Sequence, residues 1–230
     1  MHTANVRERA PETKGRTIRW ASWYDAVVAL LSLGREQAMR QMTLELAQVK
    51  PGDKVLDVGC GTGSLTIAAK ARTGAVGQVH GIDAAPEMID IARRKAAQAG
   101  VDVDFQIGLI EKIPFPDNHF DIALSSLMLH HLPDDLKRKG VVEINRVLKP
   151  SGRFFAVDFE PPSSSLLWRL TFHLLGHGMM QSNVRKLPAM MAAAGFVDVE
   201  TGTTNYHVLA FVRGRKGVDR SGFQKPDRSG

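Results

Sequence analysis

Between residues 35 and 159 the chain alternates short apolar runs with segments of helical period, and this alternation constrains its fold more than any other feature. The predicted strands cover 54–58, 78–83, 101–107, 120–126 and 153–159, and the predicted helices cover 35–49, 64–71, 86–100 and 134–148. Strands that alternate with helices connect through right-handed crossovers, so they form a parallel sheet with helices on both faces. Such doubly wound folds bind ligands at the carboxyl ends of the strands, where the strand order reverses.

Two further strand-like runs lie close together near the end of the chain, at 196–202 and 205–214. The gap between them is too short for a crossover helix, so they predict an antiparallel hairpin at the sheet edge. We therefore expect an α/β, doubly wound, Rossmann-like sheet of seven mostly parallel strands. It forms a single domain over 21–213, with basic tails at 1–20 and 214–230.

The stretch VLDVGCGTGS at 55–64 joins the first strand to a helix through three alternating glycines, Gly59, Gly61 and Gly63. Such a turn lets a ligand approach the backbone closely and presents the N–H groups of the helix start. The dinucleotide fingerprint GxGxxG would need a glycine at Ser64, which disfavours a pyrophosphate ligand. The sequence contains no GxxxxGK[ST], so it has no P-loop.

Two acidic residues flank this turn. Asp83 ends the second strand, twenty residues after Gly63, where a carboxylate can accept both hydroxyls of a ribose. Nicotinamide and adenosyl cofactors both have that ribose, so Asp83 leaves the two open. Asp57, two residues before the first glycine, would place negative charge near a ligand ammonium group and would repel a pyrophosphate. Asp57 therefore favours a ligand with an amino acid moiety.

The motifs DVGCGTG, GIDAAPEM, IPFPDNHFDIALSS, LHHL and RVLKPSGRF follow one another from about residue 50 to residue 160. In this order and spacing they resemble the class I S-adenosylmethionine-dependent methyltransferases, whose antiparallel seventh strand the terminal hairpin also resembles. The resemblance implies S-adenosylmethionine as the cofactor and methyl transfer by direct in-line displacement, with no metal and no covalent enzyme intermediate. A nicotinamide-dependent oxidoreductase is opposed by Ser64 and by the missing Tyr-x-x-x-Lys of the short-chain type.

The resemblance also implies which residues contact the cofactor. They are Gly59, Gly61 and Gly63 under its methionine part, Asp57 near its ammonium group, Asp83 on the ribose, Met88 along the adenine, the backbone of Ile110 at the adenine edge, the backbone of Ser125 at the methionine moiety, and Tyr24 closing the pocket. For Met88 a core-facing side chain is the alternative. Leu109 stands where family members commonly have an aspartate that accepts a hydrogen bond from the adenine amino group. We therefore expect this pocket to bind adenine by shape and stacking.

Residues 17–42 resemble the amino-terminal part of the ubiquinone and menaquinone C-methyltransferases. This resemblance implies that Tyr24 helps to close the cofactor pocket. The alternative is that this segment is a helix packed on the sheet. Those enzymes typically carry an Arg-Asn pair after strand four, where this chain has His130 and His131. This departure disfavours quinone specificity. His130 is our candidate catalytic base, because histidine side chains exchange protons near neutral pH. A hydrogen bond within its own loop is the structural alternative.

Residues 161–182 begin as a loop and continue as a strongly apolar stretch that is interrupted by Arg169, His173 and His177. The apolar residues include Trp168, Phe172, Leu174, Leu175, Met179 and Met180. In the family plan this insertion covers the crevice as a lid, so its composition favours a lipophilic or aromatic acceptor. Packing of the insertion onto the domain is the alternative. His173 and His177 are four residues apart, but without a third ligand in sight they predict no metal site.

The net charge of +6 is concentrated at the two ends of the chain: residues 1–20 carry +3, residues 213–230 carry +4, and the remainder carries −1. Basic and aromatic residues do not interleave there, so we expect no nucleic-acid partner. The tails either solubilise the protein or contact anionic lipid, and lipid contact makes phospholipid amine N-methylation an alternative function. A non-catalytic partner subunit that binds the cofactor is a further alternative.

The cysteine content and the hydropathy of the chain bear on its location. Cys60 is the single cysteine, which excludes a disulfide framework within the chain. No apolar run approaches the roughly 20 residues that a membrane-spanning helix needs. We expect a cytoplasmic protein, with peripheral membrane contact through the basic tails as the alternative.

Overall fold

Seven strands form one sheet in the computed structural model, which describes residues 34–160, 184–206 and 209–218. The strands are β1 (Lys54–Val58), β2 (Gln78–Asp83), β3 (Asp104–Ile107), β4 (Phe120–Ser126), β5 (Leu148–Phe159), β6 (Phe196–Thr203) and β7 (Leu209–Lys216). Their order across the sheet is β3-β2-β1-β4-β5-β7-β6. The first five strands are parallel, as the alternating pattern predicted.

The helices of the described residues lie in two layers, one on each face of the sheet. They are α1 (Glu36–Leu46), α2 (Ser64–Thr73), α3 (Pro86–Ala99), α4 (Asp134–Val147) and α5 (Leu187–Ala193). Leu44 of α1 and Leu65 of α2 pack on one face, and α3 extends that layer over Phe105 of β3. Val141 of α4 and Met191 of α5 pack on the other face. Both faces of the sheet are therefore covered, which explains why its central strands are apolar runs.

The terminal hairpin is confirmed as antiparallel. β6 pairs antiparallel with β7, and β7 also pairs antiparallel with β5, so β7 lies between them and β6 forms the edge of the sheet. β5 begins at Leu148, five residues before the predicted start, because the chain enters the sheet directly from α4. The sequence patterns did not predict the short helix α5.

The strand order reverses between β1 and β4, because β2 and β3 lie on one side of β1 while β4 and β5 lie on the other. The carboxyl ends of β1, β2 and β4 meet at this point, which is where ligands of doubly wound folds bind. Two of the predicted site residues lie there, Asp83 at the end of β2 and Ser125 near the end of β4.

Several predicted features lie outside the described residues. They are Tyr24, the tail at 1–20, the apolar insertion at 161–182 with His173 and His177, and most of the tail at 214–230. In the part of the chain that is described, no helix is both long and apolar enough to cross a membrane.

Candidate functional site

The three glycines of the turn after β1 all have left-handed backbone conformations, with φ of +73° at Gly59, +53° at Gly61 and +79° at Gly63. Gly63 also has no room for a side chain, because a Cβ there would lie 2.6 Å from Phe105 and 2.8 Å from Ala92. The third glycine therefore lets α2 start close to β3 and α3, and it fixes the direction in which the first N–H groups of α2 point.

The carboxylate of Asp83 is bound to the same turn. Its Oδ2 accepts a hydrogen bond from the Gly61 N–H at 2.9 Å, and its Oδ1 accepts one from the Ala85 N–H at 2.9 Å. Burial raises the pKa of Asp83, and these backbone hydrogen bonds oppose the rise. Each carboxylate oxygen has two acceptor positions, so Asp83 can still accept hydrogen bonds from the hydroxyls of a ribose.

Asp57 lies beneath the turn and is only 1% exposed. Thr66, in the first turn of α2, donates a hydrogen bond from Oγ1 to Asp57 Oδ2 at 2.7 Å. The pKa of Asp57 is raised to about 7, chiefly by burial and also by the charge of Asp83, while the Thr66 hydrogen bond lowers it. None of these groups is a cation. A positively charged ligand group near the turn would therefore favour the ionised form of Asp57.

The segment after β4 contains a buried hydroxyl and a strained residue. Ser125 is 1% exposed, and its Oγ has no hydrogen-bond partner among the described residues. Leu127 has a left-handed conformation with φ of +52°, which is rare for a bulky residue and marks functional segments in many proteins. The side chain of Met128 then lies over Gly59, where a Cβ would come within 2.8 Å of the Met128 Cβ.

His130 and Asp158 form a buried pair at the carboxyl ends of β4 and β5. Their side chains are 5% and 4% exposed, and His130 Nδ1 lies 2.7 Å from Asp158 Oδ1. Asp158 also accepts hydrogen bonds from the backbone N–H of His130 at 2.9 Å and of Phe159 at 2.7 Å. When His130 Nδ1 donates to this carboxylate, Nε2 is the nitrogen left to accept a proton.

The predicted adenine contacts start from two other segments. Met88 is 2% exposed and packs with Ala85 and Ile91 at the start of α3. Ile110 is 7% exposed, and its side chain fills the space beside Gly140 of α4, where a Cβ would overlap it. The Met88 side chain is therefore part of a small apolar cluster. The Ile110 side chain packs against α4, so only the backbone of Ile110 can contact a ligand.

The structure brings most predicted site residues together at the ends of the central strands. Asp57 and the glycines follow β1, Asp83 ends β2, Ser125 lies on β4 and His130 lies in the turn Leu129–His131. Sequence reasoning missed two partners, Thr66 of Asp57 and Asp158 of His130. The sequence does offer a clue to each of them. Thr66 lies in the first helical turn after the glycines, and Asp158 lies at the end of a predicted strand. Within the described ranges, no three His, Cys, Asp or Glu side chains form a group that could hold a metal ion.

These residues fit an adenosyl cofactor with an amino acid moiety. Asp83 supplies acceptors for a ribose, Asp57 supplies a carboxylate that lacks a cationic partner among the described residues, and Ser125 Oγ supplies a buried hydroxyl whose hydrogen bond is not satisfied by the described chain. A buried polar group without a partner is costly, so a ligand that reaches it gains that interaction.

Comparison with known proteins shows the family of the chain. A family model described as a methyltransferase domain matches residues 55–152. The chain is 33% identical over 220 residues to the ubiquinone/menaquinone biosynthesis C-methyltransferase of Pseudomonas paraeruginosa, over 85% of each chain. It is 36% identical over 157 residues to the protein of the same name from Paraburkholderia phymatum, over 68% of this chain and 64% of that protein, which is less than two thirds of that protein's length. The solved structure of a SAM-dependent methyltransferase from Aquifex aeolicus has the same fold, with a TM-score of 0.62 at 23% identity over 76% of this chain and 88% of the other.

Proposed function

The chain belongs to the class I S-adenosylmethionine-dependent methyltransferases and resembles the ubiquinone/menaquinone biosynthesis C-methyltransferases among them, and from this premise we propose that it methylates an oxygen or acidic carbon of a lipophilic or aromatic small molecule. It is an enzyme, and its cofactor is S-adenosylmethionine. The observation that carries the proposal is the buried pair of His130 and Asp158 at the carboxyl ends of β4 and β5.

The glycine turn and its two carboxylates hold the cofactor in this proposal. When bound, S-adenosylmethionine supplies a methyl group activated by its positively charged sulfur. Asp83 accepts the ribose hydroxyls and orients them against Gly61, to which it is already hydrogen-bonded. Asp57 balances the charge of the ammonium group, and the carboxyl end of β4 around Ser125 lies against the methionine part.

His130 acts as the base that takes the proton of the acceptor. Asp158 accepts a hydrogen bond from His130 Nδ1, which fixes the tautomer with Nε2 unprotonated and stabilises the imidazolium once Nε2 has taken a proton. Two backbone N–H groups hold Asp158 in place, so the ring orientation is set by β5 as well as by its own turn. A site with a positioned base suits an acceptor whose nucleophile must lose a proton, such as a phenol, a quinol or an activated ring carbon.

Apolar side chains around the base support the lipophilic or aromatic character of the acceptor. The ring of Phe159 meets His130 edge-on at 5.0 Å between centroids, and half-buried Leu127 and Met128 lie in the same segment as the histidine. The segment 161–182 follows β5 in the sequence, and its apolar composition suits a lid over a lipophilic acceptor, the role that the resemblance to the family implies. The name of the relatives favours a quinone-related acceptor, whereas His130 and His131 in place of the Arg-Asn pair favour a different hydroxylated ring.

N-methylation of a phospholipid amine is the second candidate function. The basic ends of the chain, with +3 over residues 1–20 and +4 over residues 213–230, favour contact with an anionic lipid surface. Such a surface would bring a peripheral enzyme to its acceptor. The two candidates differ in the acceptor atom, so an acceptor screen distinguishes them.

The test is methyl transfer from radiolabelled S-adenosylmethionine to a panel of phenols, quinols and phospholipid amines in vesicles. We expect turnover with hydroxylated aromatic acceptors, a loss of about 10²-fold or more in kcat for H130A, and a smaller loss of about tenfold for D158N. Turnover with amines alone would support the second candidate. Undiminished turnover by H130A would remove the base from the proposal.

Two controls separate chemistry from folding. S-adenosylhomocysteine binding by calorimetry should be the same for wild type, H130A and D158N, because neither residue is assigned to the cofactor. H119A removes an identical ring just before β4, at the opposite end of that strand, and should leave kcat at saturating cofactor unchanged.

A further inference from the structure

The segment between β3 and β4 begins beside Asp83. Ile107, the last residue of β3, pairs with Asp83, and the Gly108 N–H donates a hydrogen bond to the Asp83 carbonyl at 3.0 Å. A nucleoside whose ribose contacts the Asp83 side chain therefore has its base within reach of the residues that follow Gly108. At the first of them, Leu109, the side chain has no acceptor atom, so only backbone groups can form hydrogen bonds with the base at this point.

Glu143 and Arg146 of α4 fix the far part of this segment. Arg146 Nη2 donates to the Ile113 carbonyl at 2.9 Å, and its Nη1 donates to the Phe115 carbonyl at 2.9 Å and to Asp117 Oδ1 at 2.7 Å. Glu143 Oε2 accepts a hydrogen bond from the Ile113 N–H at 2.9 Å. The backbone of Ile113 is thus held at both its donor and its acceptor by one ion pair.

The ion pair has two parallel hydrogen bonds. Arg146 donates from Nε to Glu143 Oε1 at 2.8 Å and from Nη2 to Glu143 Oε2 at 2.8 Å, which is the bidentate geometry of a guanidinium and a carboxylate. Glu143 raises the pKa of Arg146 and Arg146 lowers the pKa of Glu143, so both groups stay charged. One turn earlier on the same helix, Gly140 leaves the space that the Ile110 side chain fills.

We propose that Glu143 and Arg146 are positioning residues that hold the segment 108–117 where its backbone reads the edge of the cofactor's adenine. Backbone groups distinguish one base from another only if their position is fixed, because a mobile segment can turn either an N–H donor or a C=O acceptor toward the base. With Leu109 unable to form a hydrogen bond, the specificity of the pocket for adenine depends on the rigidity that α4 gives to this segment.

The experiment compares two ligands that differ along one edge of the base. S-adenosylhomocysteine has an amino group and an acceptor at N1, whereas S-inosylhomocysteine has a carbonyl and an N–H donor at these positions. Calorimetry on the full chain should show wild type binding the adenosyl ligand about tenfold or more tighter than the inosyl ligand. R146M should weaken S-adenosylhomocysteine about tenfold and bring the ratio of the two affinities to within about twofold of unity. R146K should lower the ratio similarly, because one ammonium group cannot reproduce the fork of donors.

R213M is the matched control. Arg213 donates from Nε at 2.8 Å and from Nη2 at 2.6 Å to Oε2 of Glu200 on the β6–β7 hairpin, and it contacts no residue of the segment 108–117 in the described hydrogen bonds. This variant should keep the wild-type ratio. E143Q, which can still accept the Ile113 N–H, should give an intermediate ratio and serves as the test if R146M does not fold.

Two results would overturn the proposal. One is a wild-type protein that binds both ligands equally. The other is an R146M variant that keeps the wild-type ratio, whether its affinities are unchanged or fall by the same factor for both ligands. An equal fall would mean that the ion pair only stabilises the fold. Because no methyl acceptor is present in this experiment, its result is independent of the acceptor and the base proposed above.

Discussion

The hydroxyl of Thr66 donates a 2.7 Å hydrogen bond to Asp57 Oδ2, and both residues are buried beneath the glycine turn. Burial and the charge of Asp83 raise the pKa of Asp57 to about 7, against the lowering effect of Thr66. A carboxyl group that titrates near neutral pH thus lies next to the place where we propose that the ammonium group of the cofactor binds. Two predictions follow from this relationship, one for binding and one for folding.

Cofactor binding should be linked to a proton. The ammonium group favours ionised Asp57, so S-adenosylhomocysteine affinity should rise as the pH increases to about 7 and level off above it. Below that pH each binding event should release up to one proton, which calorimetry in two buffers of different ionisation enthalpy measures. T66V removes the hydrogen bond that favours the ionised carboxylate, so the pH at which affinity levels off should increase. A pH-independent affinity without proton release would contradict this prediction.

The folding stability of the unliganded protein should also depend on Asp57. The folded-state pKa of about 7 lies above the ordinary value of 3.8, so between these values the folded state binds more protons than the unfolded state. The free energy of unfolding contributed by this group therefore falls as the pH rises through the window. D57N keeps an acceptor for Thr66 but does not titrate. In urea unfolding, the free energy of unfolding of D57N relative to wild type should therefore be higher at about pH 8 than at about pH 5. Parallel pH profiles for the two proteins would show that Asp57 is not the group responsible.

The sequence was sufficient to predict the five parallel strands, because the central ones are covered on both faces. Runs such as Val55–Val58 and Phe120–Leu124 are almost wholly apolar for that reason, and helical segments separate them. The insertion of β7 between β5 and β6 was not evident, since it depends on which neighbour the last strand pairs with. Helix α5 is too short to produce a clear helical period.

Site residues could be predicted where neighbouring residues in the sequence define their positions. The glycines and Asp83 could be found in this way, because one turn and one strand end define their positions. The partner of His130 could not, because Asp158 is 28 residues away and the two meet only through the pairing of β4 with β5. The same holds for Met128 and Gly59, which are brought together by the pairing of β1 with β4.

Gly63 and Gly100 offer a comparison between two left-handed glycines. Both have positive φ, +79° and +63°, but a Cβ at Gly63 would meet Phe105 and Ala92, whereas a Cβ at Gly100 has nothing within 4 Å. G100A should lower the free energy of unfolding by about 1 kcal/mol, the conformational cost alone. G63A should lower it by about 3 kcal/mol, because overpacking adds to that cost. Chemical denaturation measures both, and equal losses would mean that the contacts around Gly63 relax freely.

Ser125 should be a position where stability and affinity change in opposite directions. Its buried Oγ has no partner among the described residues, so S125A should raise the free energy of unfolding by about 1 kcal/mol. If the hydroxyl bonds the cofactor, as its place at the end of β4 favours, the same variant should bind S-adenosylhomocysteine about fivefold more weakly. S126A, at the half-buried neighbouring position, should change neither quantity. A stable S125A with wild-type affinity would show that the hydroxyl does not contact the ligand.

Gly59 lacks a side chain for two separable reasons, and a double variant distinguishes them. A Cβ at this position would overlap the side chain of Met128, and the resemblance to methyltransferases also places the methionine part of the cofactor over the same backbone. G59A should therefore destabilise the protein by about 3 kcal/mol and weaken S-adenosylhomocysteine binding at least about tenfold. Adding M128G removes the packing conflict, because an alanine at 128 would keep the Cβ that lies 2.8 Å from the new one, so M128G should restore part of the stability but not the affinity. M128G alone is the control for the cavity and the backbone freedom that it creates, and M128L controls for the loss of the thioether. Recovery of both stability and affinity in the double variant would mean that Gly59 serves packing only, and that the cofactor does not pass over it.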